Sequence, residues 1–140
     1  MFLIYKIDVP GLNIEYLNGT SILKIIVKHY VILANNVIII GDMNVAHYPI
    51  DLHEPERNIW SAGFTFYERS SFTQLLKAGF NDTYRELYND KVQYTWWSTR
   101  NKTLRQRNLG WRIDYSLVDD DLMLAVEDSE IHDQVMGSDH

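Results

Sequence analysis

The spacing of apolar residues predicts helices at two places in the chain. Between about residues 15 and 33, apolar positions recur at steps of three and four, the period of an amphipathic helix. A similar pattern over residues 65–78, ended by Gly79, predicts a second helix. Ser70 and Ser71 are the candidate capping residues of this second helix.

Other apolar segments have the character of strands. Val37–Ile40 is wholly apolar, which predicts a strand buried on both faces, and residues 113–118 alternate as a strand does. The aromatic segment Tyr94–Ser98 is also prone to β structure. Residues 81–87 begin with Asn-Asp-Thr, which favours a short helical turn. Together these elements predict an α/β fold.

Two stretches have neither period and are predicted to be loops. Residues 44–63 contain prolines and several charges, and a loop of this length in a compact domain indicates a function. Residues 101–108 carry Lys102, Arg105 and Arg107 without an apolar period, so we predict a basic loop there.

Composition narrows the class of protein. With 140 residues and 46% hydrophobic content, the chain can form one domain with a real core. The formal net charge of −6 argues against a generally basic nucleic-acid-coating protein, although it leaves room for a local basic strip. Without cysteine the chain has no disulfide partner. No signal peptide and no run of ~20 apolar residues is evident, so we expect an intracellular protein without a membrane partner.

Polar residues follow the first predicted strand directly. Asp42 and Asn44 come after Val37–Ile40, and the carboxyl end of a strand is where α/β sheets place ligands. A carboxylate can hold a proton or a hard cation there, and an amide can donate to a phosphate oxygen. The sequence Gly-Asp-Met-Asn is also good turn chemistry, and spacing alone favours the turn.

Asp114 lies within the second predicted strand, where a carboxylate needs a partner because an unpaired buried charge is costly. Arg112, two residues away on the same face, is one candidate. His140, in the segment Gly-Ser-Asp-His, is the other, since a carboxylate can hold the tautomer of an imidazole. The spacing leaves both pairings open, and a C-terminal histidine is more often simply solvated.

Two further histidines, His47 and His53, lie in or near the long loop. Asp51 and Glu54 could join them as metal ligands, but no spacing matches a zinc site. We therefore predict that both histidines are structural or exposed to solvent.

Trp96, Trp97 and Trp111 place three of the four tryptophans close together in sequence. Core packing accounts for some of them. Because basic residues from Arg100 to Arg107 lie beside them, a stacking surface for nucleic acid is the alternative.

Six motifs occur in a fixed order along the chain: Gly41–His47, Ile50–Leu52, Ala62–Thr65 with Glu68 and Arg69, Tyr94–Ser98, Asn108–Tyr115 and Gly137–His140. In combination they resemble the exonuclease III-type apurinic/apyrimidinic (AP) endonucleases of the endonuclease/exonuclease/phosphatase superfamily. The Gly-Trp-Arg-Ile-Asp-Tyr and Tyr-Thr-Trp-Trp-Ser blocks are specific to the AP-endonuclease branch. The resemblance covers residues 37–140, whereas residues 1–36, an irregular start and a helix, resemble the family only weakly.

This resemblance implies a fold and a reaction. The fold would be the C-terminal portion of a four-layer α/β sandwich, in which two mixed sheets pack face to face with helices outside. The reaction would be exodeoxyribonuclease III-like: Mg²⁺- or Mn²⁺-dependent hydrolysis of double-stranded DNA 5′ to an abasic site, in base excision repair. Such an enzyme acts in the nucleus of a eukaryote or the cytoplasm of a bacterium.

The resemblance also implies roles for residues at the motif positions. Asp42 would orient or deprotonate the attacking water, and Asn44 would hold a phosphate oxygen. His140 would contact the phosphate, with its ring fixed by Asp114. Asp139, directly or through water, would join Asp42, Asn44 and His140 in the metal site.

Substrate-binding residues follow in the same way. Trp96, Trp111 and Ile113 match the apolar pocket that receives a flipped-out abasic sugar and excludes a sugar bearing its base. Asn58 matches a phosphate-contacting asparagine, and the basic residues from Arg100 onwards would lie against the DNA.

Several family elements have no counterpart in the sequence: the opening strand, the metal-ligating glutamate, a central Tyr and Asn segment, and the last strand. We therefore expect an incomplete and inactive portion of the domain, because a site without its principal carboxylate binds Mg²⁺ poorly. Such a portion would also expose a sheet face. A catalytically dead DNA-binding remnant is the alternative, and hydrolysis of another phosphate ester is a third, which the Trp-Arg-Ile-Asp-Tyr block opposes.

Overall fold

The computed structural model of the protein describes residues 37–101 and 103–140. The predicted helix over residues 15–33, with the rest of 1–36, and Lys102 lie outside the described residues. In chain order the elements are β1 (Ile38–Asp42), two 3₁₀ helices (Pro49–Asp51 and Pro55–Arg57), α1 (Phe66–Leu76), β2 (Phe80–Asp82), α2 (Thr83–Leu87), α3 (Thr103–Gln106), β3 (Asp114–Asp119) and α4 (Asp120–Met123).

The strands form one antiparallel sheet with the order β1-β3-β2. In the register of β1 and β3, Ile38 lies opposite Val118 and Asp42 lies opposite Asp114. The strand predicted over residues 113–118 is therefore confirmed as β3. Because neighbouring strands are about 5 Å apart, this register brings two carboxylates side by side at one end of the sheet.

One face of the sheet packs against α1. The buried cluster between them consists of Val45, Phe72, Leu75, Phe80, Tyr115 and Leu117. Ile39 packs against this cluster, whereas Ile38 and Ile40 on the opposite face are 49% and 58% exposed. The prediction that this strand is buried on both faces is therefore wrong, because alternate side chains point to opposite faces and the described residues cover only one of them.

The helix predicted over residues 65–78 is confirmed as α1, but its cap differs from the prediction. The hydroxyl of Thr65 accepts a hydrogen bond from the backbone N–H of Glu68, and the Glu68 carboxylate accepts one from the N–H of Thr65. This reciprocal pair is a capping box. Ser70 and Ser71 lie inside the helix, so the prediction that they cap it is wrong.

The smaller elements follow from local side-chain chemistry. The turn predicted over residues 81–87 is confirmed as α2, with Asp82 as its cap, although the short strand β2 before it was not predicted. The loop predicted over residues 101–108 is wrong in part, because α3 forms there and the Asn101 side chain accepts from the N–H of Thr103. No helix in the described part of the chain is long and apolar enough to cross a membrane.

A buried network of two arginines and two aspartates joins these elements. The Arg112 guanidinium donates from Nε to Asp51 at 2.8 Å and from Nη2 to Asp82 at 2.6 Å. Arg85 donates to the same Asp51 oxygen at 2.5 Å. Burial alone would raise the pKa of Asp51, but hydrogen bonds and positive charge from Arg112 hold it below its ordinary value. The network therefore links the long loop, β2, α2 and the segment that leads into β3.

His47, the last residue of the first motif, is also buried, and its Nε2 lies 2.8 Å from the hydroxyl of Thr73. The Thr73 hydroxyl donates its own proton to the carbonyl of Arg69, so Nε2 must carry a proton and donate. Burial is the main reason that the pKa of His47 falls to about 4. The prediction of a structural role for His47 agrees with this geometry.

We expect Arg112→Met to lower the free energy of unfolding by about 3–5 kcal/mol, because it leaves two buried carboxylates without their main partner. The matched control is Arg57→Met, which removes a solvent-exposed ion pair with Glu54 and should cost less than about 1 kcal/mol. Urea unfolding followed by circular dichroism measures both. Equal midpoints for the two variants would contradict a structural role for the buried network.

We also expect the stability of the chain to fall between pH 6.5 and pH 4 because of His47. Its pKa is about 4 in the folded state and 6.5 ordinarily, so in this window the unfolded state binds more protons. The loss on acidification should reach about 3 kcal/mol. Urea unfolding at pH 7, 5.5 and 4.5 should show a shallower pH dependence for His47→Gln, whereas His132→Gln, at an exposed histidine, should keep the original slope.

Candidate active site

The carboxylate of Asp114 is paired with the imidazole of His140. The distance from His140 Nδ1 to Asp114 Oδ2 is 2.7 Å, and both side chains are about one-third exposed. Because an ionised carboxylate only accepts, Nδ1 carries the proton of this hydrogen bond and Nε2 takes no part in it. Of the two pairings open from the sequence, the structure has this one, since Arg112 is buried with Asp51 and Asp82.

Asp42 lies beside this pair at the end of β1. Its Oδ1 accepts a hydrogen bond of 2.7 Å from the backbone N–H of Asn44. Burial raises the pKa of Asp42, the Asn44 hydrogen bond lowers it, and the neighbouring charge of Asp114 raises it again, with a net upward shift. The sheet end thus holds a carboxylate that is more basic than usual next to an oriented imidazole.

Asn44 is positioned by a tight turn. Its φ of 51° lies in the left-handed region, which asparagine tolerates better than most residues. Gly63 packs against this turn with a φ of 87°, and a Cβ there would lie 3.1 Å from the Asn44 carbonyl oxygen and 3.3 Å from the Trp111 ring. A glycine is therefore required where the turn after β1 meets the aromatic residues.

The tryptophans expected to form a pocket lie together. Trp96 and Trp111 exchange two backbone hydrogen bonds of 2.9 Å as an isolated bridge, the only pairing that the β-prone segment Tyr94–Ser98 makes in the described structure. Both rings are partly buried and pack against a second core cluster, consisting of Ala46, Leu52, Phe64 and Ile113. The structure thus brings together Trp96, Trp111 and Ile113, whereas Trp97 is buried beside Gly110.

Asp139 accepts hydrogen bonds from two residues of the same aromatic segment. Its carboxylate accepts from the indole Nε1 of Trp96 at 3.1 Å, and its carbonyl accepts from the N–H of Trp97 at 2.9 Å. These two bonds hold the residue that precedes His140.

The set of residues expected to bind a metal, Asp42, Asn44, Asp139 and His140, does not form a ligand cluster. Over residues 37–101 and 103–140, no group of three or more His, Asp or Glu side chains is arranged to hold an ion. Asp139 is bonded to Trp96, and His140 is bonded to Asp114. Because Mg²⁺ usually keeps several waters and is held by one or two protein carboxylates, the absence of a cluster of three among the described residues leaves this metal site a prediction.

The other residues expected to bind substrate lie on the loops. The Asn58 amide donates to the carbonyls of His53 and Glu54, and its oxygen accepts from Ser61, so these contacts are internal to the long loop. Arg100 is exposed. Arg105, expected within a free basic loop, is instead bonded to backbone carbonyls of the C-terminal segment.

Two structural features were missed in the sequence. The hydroxyl of Thr95 accepts from the backbone N–H groups of Ile113 and Asp114, at 3.0 and 3.1 Å, and so fixes the start of β3. Its only signal is its place in the Tyr-Thr-Trp-Trp-Ser motif. Asp51 was considered as a metal ligand, but it belongs to the buried network with Arg85 and Arg112. These residues follow no regular spacing in the sequence, so no sequence pattern predicted the network.

Comparison with known proteins gives consistent matches. The sequence matches the Endonuclease/Exonuclease/phosphatase family over residues 10–140. It is 50% identical over 105 residues to an exodeoxyribonuclease of Bacillus subtilis, covering 74% of this chain and 41% of that protein. It is 49% identical over 105 residues to the DNA repair nuclease APEX1 of Danio rerio, covering 74% of this chain and 34% of that protein.

The structure is also similar to the AP endonuclease of Leishmania major, with a TM-score of 0.70 and 37% identity over 74% of this chain and 32% of that one. The chain therefore spans well under half the length of these proteins. These likenesses confirm the resemblance to AP endonucleases and the expectation of a partial α/β fold. The chain belongs to the endonuclease/exonuclease/phosphatase family.

Proposed function

We propose that this chain is part of a nuclease that hydrolyses the DNA phosphodiester 5′ to an abasic site. The observation that carries the proposal is the 2.7 Å hydrogen bond between His140 and Asp114, beside Asp42 at the end of the sheet. The names of the relatives, an exodeoxyribonuclease, a DNA repair nuclease and an AP endonuclease, support DNA as the substrate. A DNA substrate would place the protein in the nucleus of a eukaryote or the cytoplasm of a bacterium.

In the proposed reaction, water attacks phosphorus, the bond from phosphorus to the 3′ oxygen breaks, and the 3′ oxygen takes up a proton from solvent to leave as a hydroxyl. Asp42 accepts the proton of the attacking water, a role that suits a carboxylate whose pKa is raised by burial. His140 turns Nε2 to the phosphate, where a proton gained at Nε2 during the reaction would neutralise the negative charge that develops on the oxygens. Asp114 holds the ring through Nδ1 and stabilises its positive charge. Asn44 would donate an amide N–H to a phosphate oxygen.

We assign selection of the abasic sugar to the surface formed by Trp96, Trp111 and Ile113. Two partly buried tryptophans over an apolar cluster suit the face of a sugar ring without its base, because a base would bring its polar edge against this apolar surface. Exposed Arg100 and Arg107 would lie against the DNA backbone. Asn58, within the long loop, would contact a phosphate by exchanging its amide bonds to the His53 and Glu54 carbonyls for that contact.

The proposed activity requires more than this chain alone. Mg²⁺ or Mn²⁺ is the cation that we propose for the complete protein, but the described residues do not supply a full ligand set. The net charge of −6 also opposes strong binding to DNA. We therefore expect the isolated chain not to incise DNA, and expect the missing ligands to come from the rest of a full-length domain.

The test is incision of a duplex that carries a single abasic-site analogue, with Mg²⁺ and with EDTA. The protein is assayed alone and as a chimera, in which its matched segment replaces the 105-residue segment of the Bacillus subtilis exodeoxyribonuclease. We expect cleavage 5′ to the site by the chimera with Mg²⁺ only. Binding of the duplex without cleavage would mark the chain as a DNA-binding remnant and would refute the proposed activity.

Within the chimera, we expect Asp42→Ala or His140→Ala to lower incision by about 10²-fold or more, since each removes a group that acts on the reacting phosphate. Binding to abasic duplex, measured by fluorescence anisotropy, should stay close to that of the parent. The control Asp121→Ala alters an exposed carboxylate on α4. Incision by either site variant at the parental rate would show that the assigned role is wrong.

Trp111→Ala should act on selectivity instead. Because it opens the apolar surface, the preference of the chimera for abasic over intact duplex should fall by about 10-fold or more. Trp60→Ala is the matched control, because the Trp60 side chain is 87% exposed and lies outside both core clusters. The measurement is the ratio of incision rates on the two duplexes, and an unchanged ratio for Trp111→Ala would exclude it from the selecting surface.

A further inference from the structure

The segment that carries His140 is held in place without a regular element of its own. Residues 124–140 form no helix or strand, and Val135 and Met136 are 65% and 76% exposed. A segment with no regular element and so little apolar burial has low local stability by itself. The position of the His140 ring, 2.7 Å from Asp114, therefore needs another cause.

Arg105 on α3 makes four hydrogen bonds to this segment, more than any other described residue outside it. Its guanidinium donates to the carbonyls of Asp133 and Val135 from Nη2, each at 2.8 Å, and to the carbonyl of Ser138 from Nη1 at 2.8 Å. Its Nε donates a longer bond of 3.3 Å to Asp133. The planar fork of arginine can reach three carbonyls at once, which the single ammonium of lysine cannot do in the same geometry.

The guanidinium is itself fixed by Trp97. It lies 4.6 Å from the centre of the Trp97 ring, and this ring is buried against Gly110. The backbone N–H of Trp97 donates to the carbonyl of Asp139, the residue directly before His140. Arg105 and Trp97 thus hold the two residues that precede His140. Arg105 bonds to the Ser138 carbonyl, and Trp97 bonds to the Asp139 carbonyl.

We infer that Arg105 is a positioning residue for His140, which holds the C-terminal segment so that the imidazole meets Asp114. Its guanidinium makes four hydrogen bonds to backbone carbonyls of the chain itself. These N–H groups are therefore already bonded and are not free to donate to DNA phosphates. The inference rests on the proposed function only in so far as His140 acts on the substrate. The claim that Arg105 positions the His140 ring against Asp114 does not depend on any activity.

The test uses nitrogen-15 NMR of the histidine rings in the 140-residue chain, with the His140 signal assigned by His140→Gln. In the unmodified chain we expect the Nδ1–H tautomer of His140, with a slowly exchanging proton. Arg105→Lys and Arg105→Gln should both replace it with the averaged signal of a free imidazole. Arg57→Gln, at an arginine whose side chain is 78% exposed and which has no assigned role in the site, should leave the signal unchanged.

Two comparisons separate positioning from attraction of phosphate. If Arg105→Lys kept the His140 signal and only Arg105→Gln lost DNA affinity, charge would be its role, and the inference would be overturned. If both variants unfolded, the decisive measurement is rotation of the Arg105 guanidinium in the unmodified chain: separate Nη signals are expected, and a single averaged signal would overturn the inference.

The chimera then separates this inference from the proposed function. We expect Arg105→Lys to lower its incision rate by about 10-fold or more, because a small displacement of a catalytic group is costly. If the chimera itself does not incise DNA, the proposed function fails while the NMR result still decides the role of Arg105. If the chimera incises and Arg105→Lys leaves both its rate and the His140 signal unchanged, the positioning role is wrong.

Discussion

Arg112 is 0% exposed, and its guanidinium is held by two aspartates that are themselves buried, Asp51 and Asp82. Arg85 completes the charge balance through Asp51. The elements that these residues join are distant in sequence, so the network fixes the long loop and β2 against the start of β3. Because a buried charge that loses its partner is strongly destabilising, the four residues can only be accommodated together. The position of the site depends on this network, because Arg112 lies two residues before Asp114 in the chain.

The site lies a short step along the chain from the network. Arg112 points into the interior, and two residues later Asp114 reaches the end of the sheet opposite Asp42. Between them, the Thr95 hydroxyl accepts from the backbone N–H groups of Ile113 and Asp114. The next residue, Tyr115, donates to the carbonyl of Val45 and accepts from the N–H of His47, which fastens the turn after β1 to β3. Buried contacts on one side of β3 therefore position a partly exposed carboxylate on the other.

The incomplete character of the domain is visible in what the sheet leaves open. One face packs on α1, while Ile38 and Ile40 on the opposite face are about half exposed. Together with the 41% coverage of the Bacillus subtilis relative, this exposure agrees with a chain that represents part of a larger fold. The lack of a full ligand set among the described residues has the same explanation in our proposal, since ligands of one ion usually come from several elements.

Local chemistry in the sequence determined much of this protein: the period of α1, the strand β3, the turn at Asp82 and the motifs that indicate the family. Tertiary structure decided the pairings, because they join residues far apart in sequence. The spacing in the sequence allowed Asp114 to pair with either Arg112 or His140. In the fold the buried aspartates bind Arg112, so Asp114 pairs with His140. In the same way, the sequence around Arg105 predicts a charged side chain exposed to solvent. In the fold, however, Arg105 donates to three backbone carbonyls that lie 28 to 33 residues away in sequence. Sequence specified which groups were present, and packing specified which of them could reach one another.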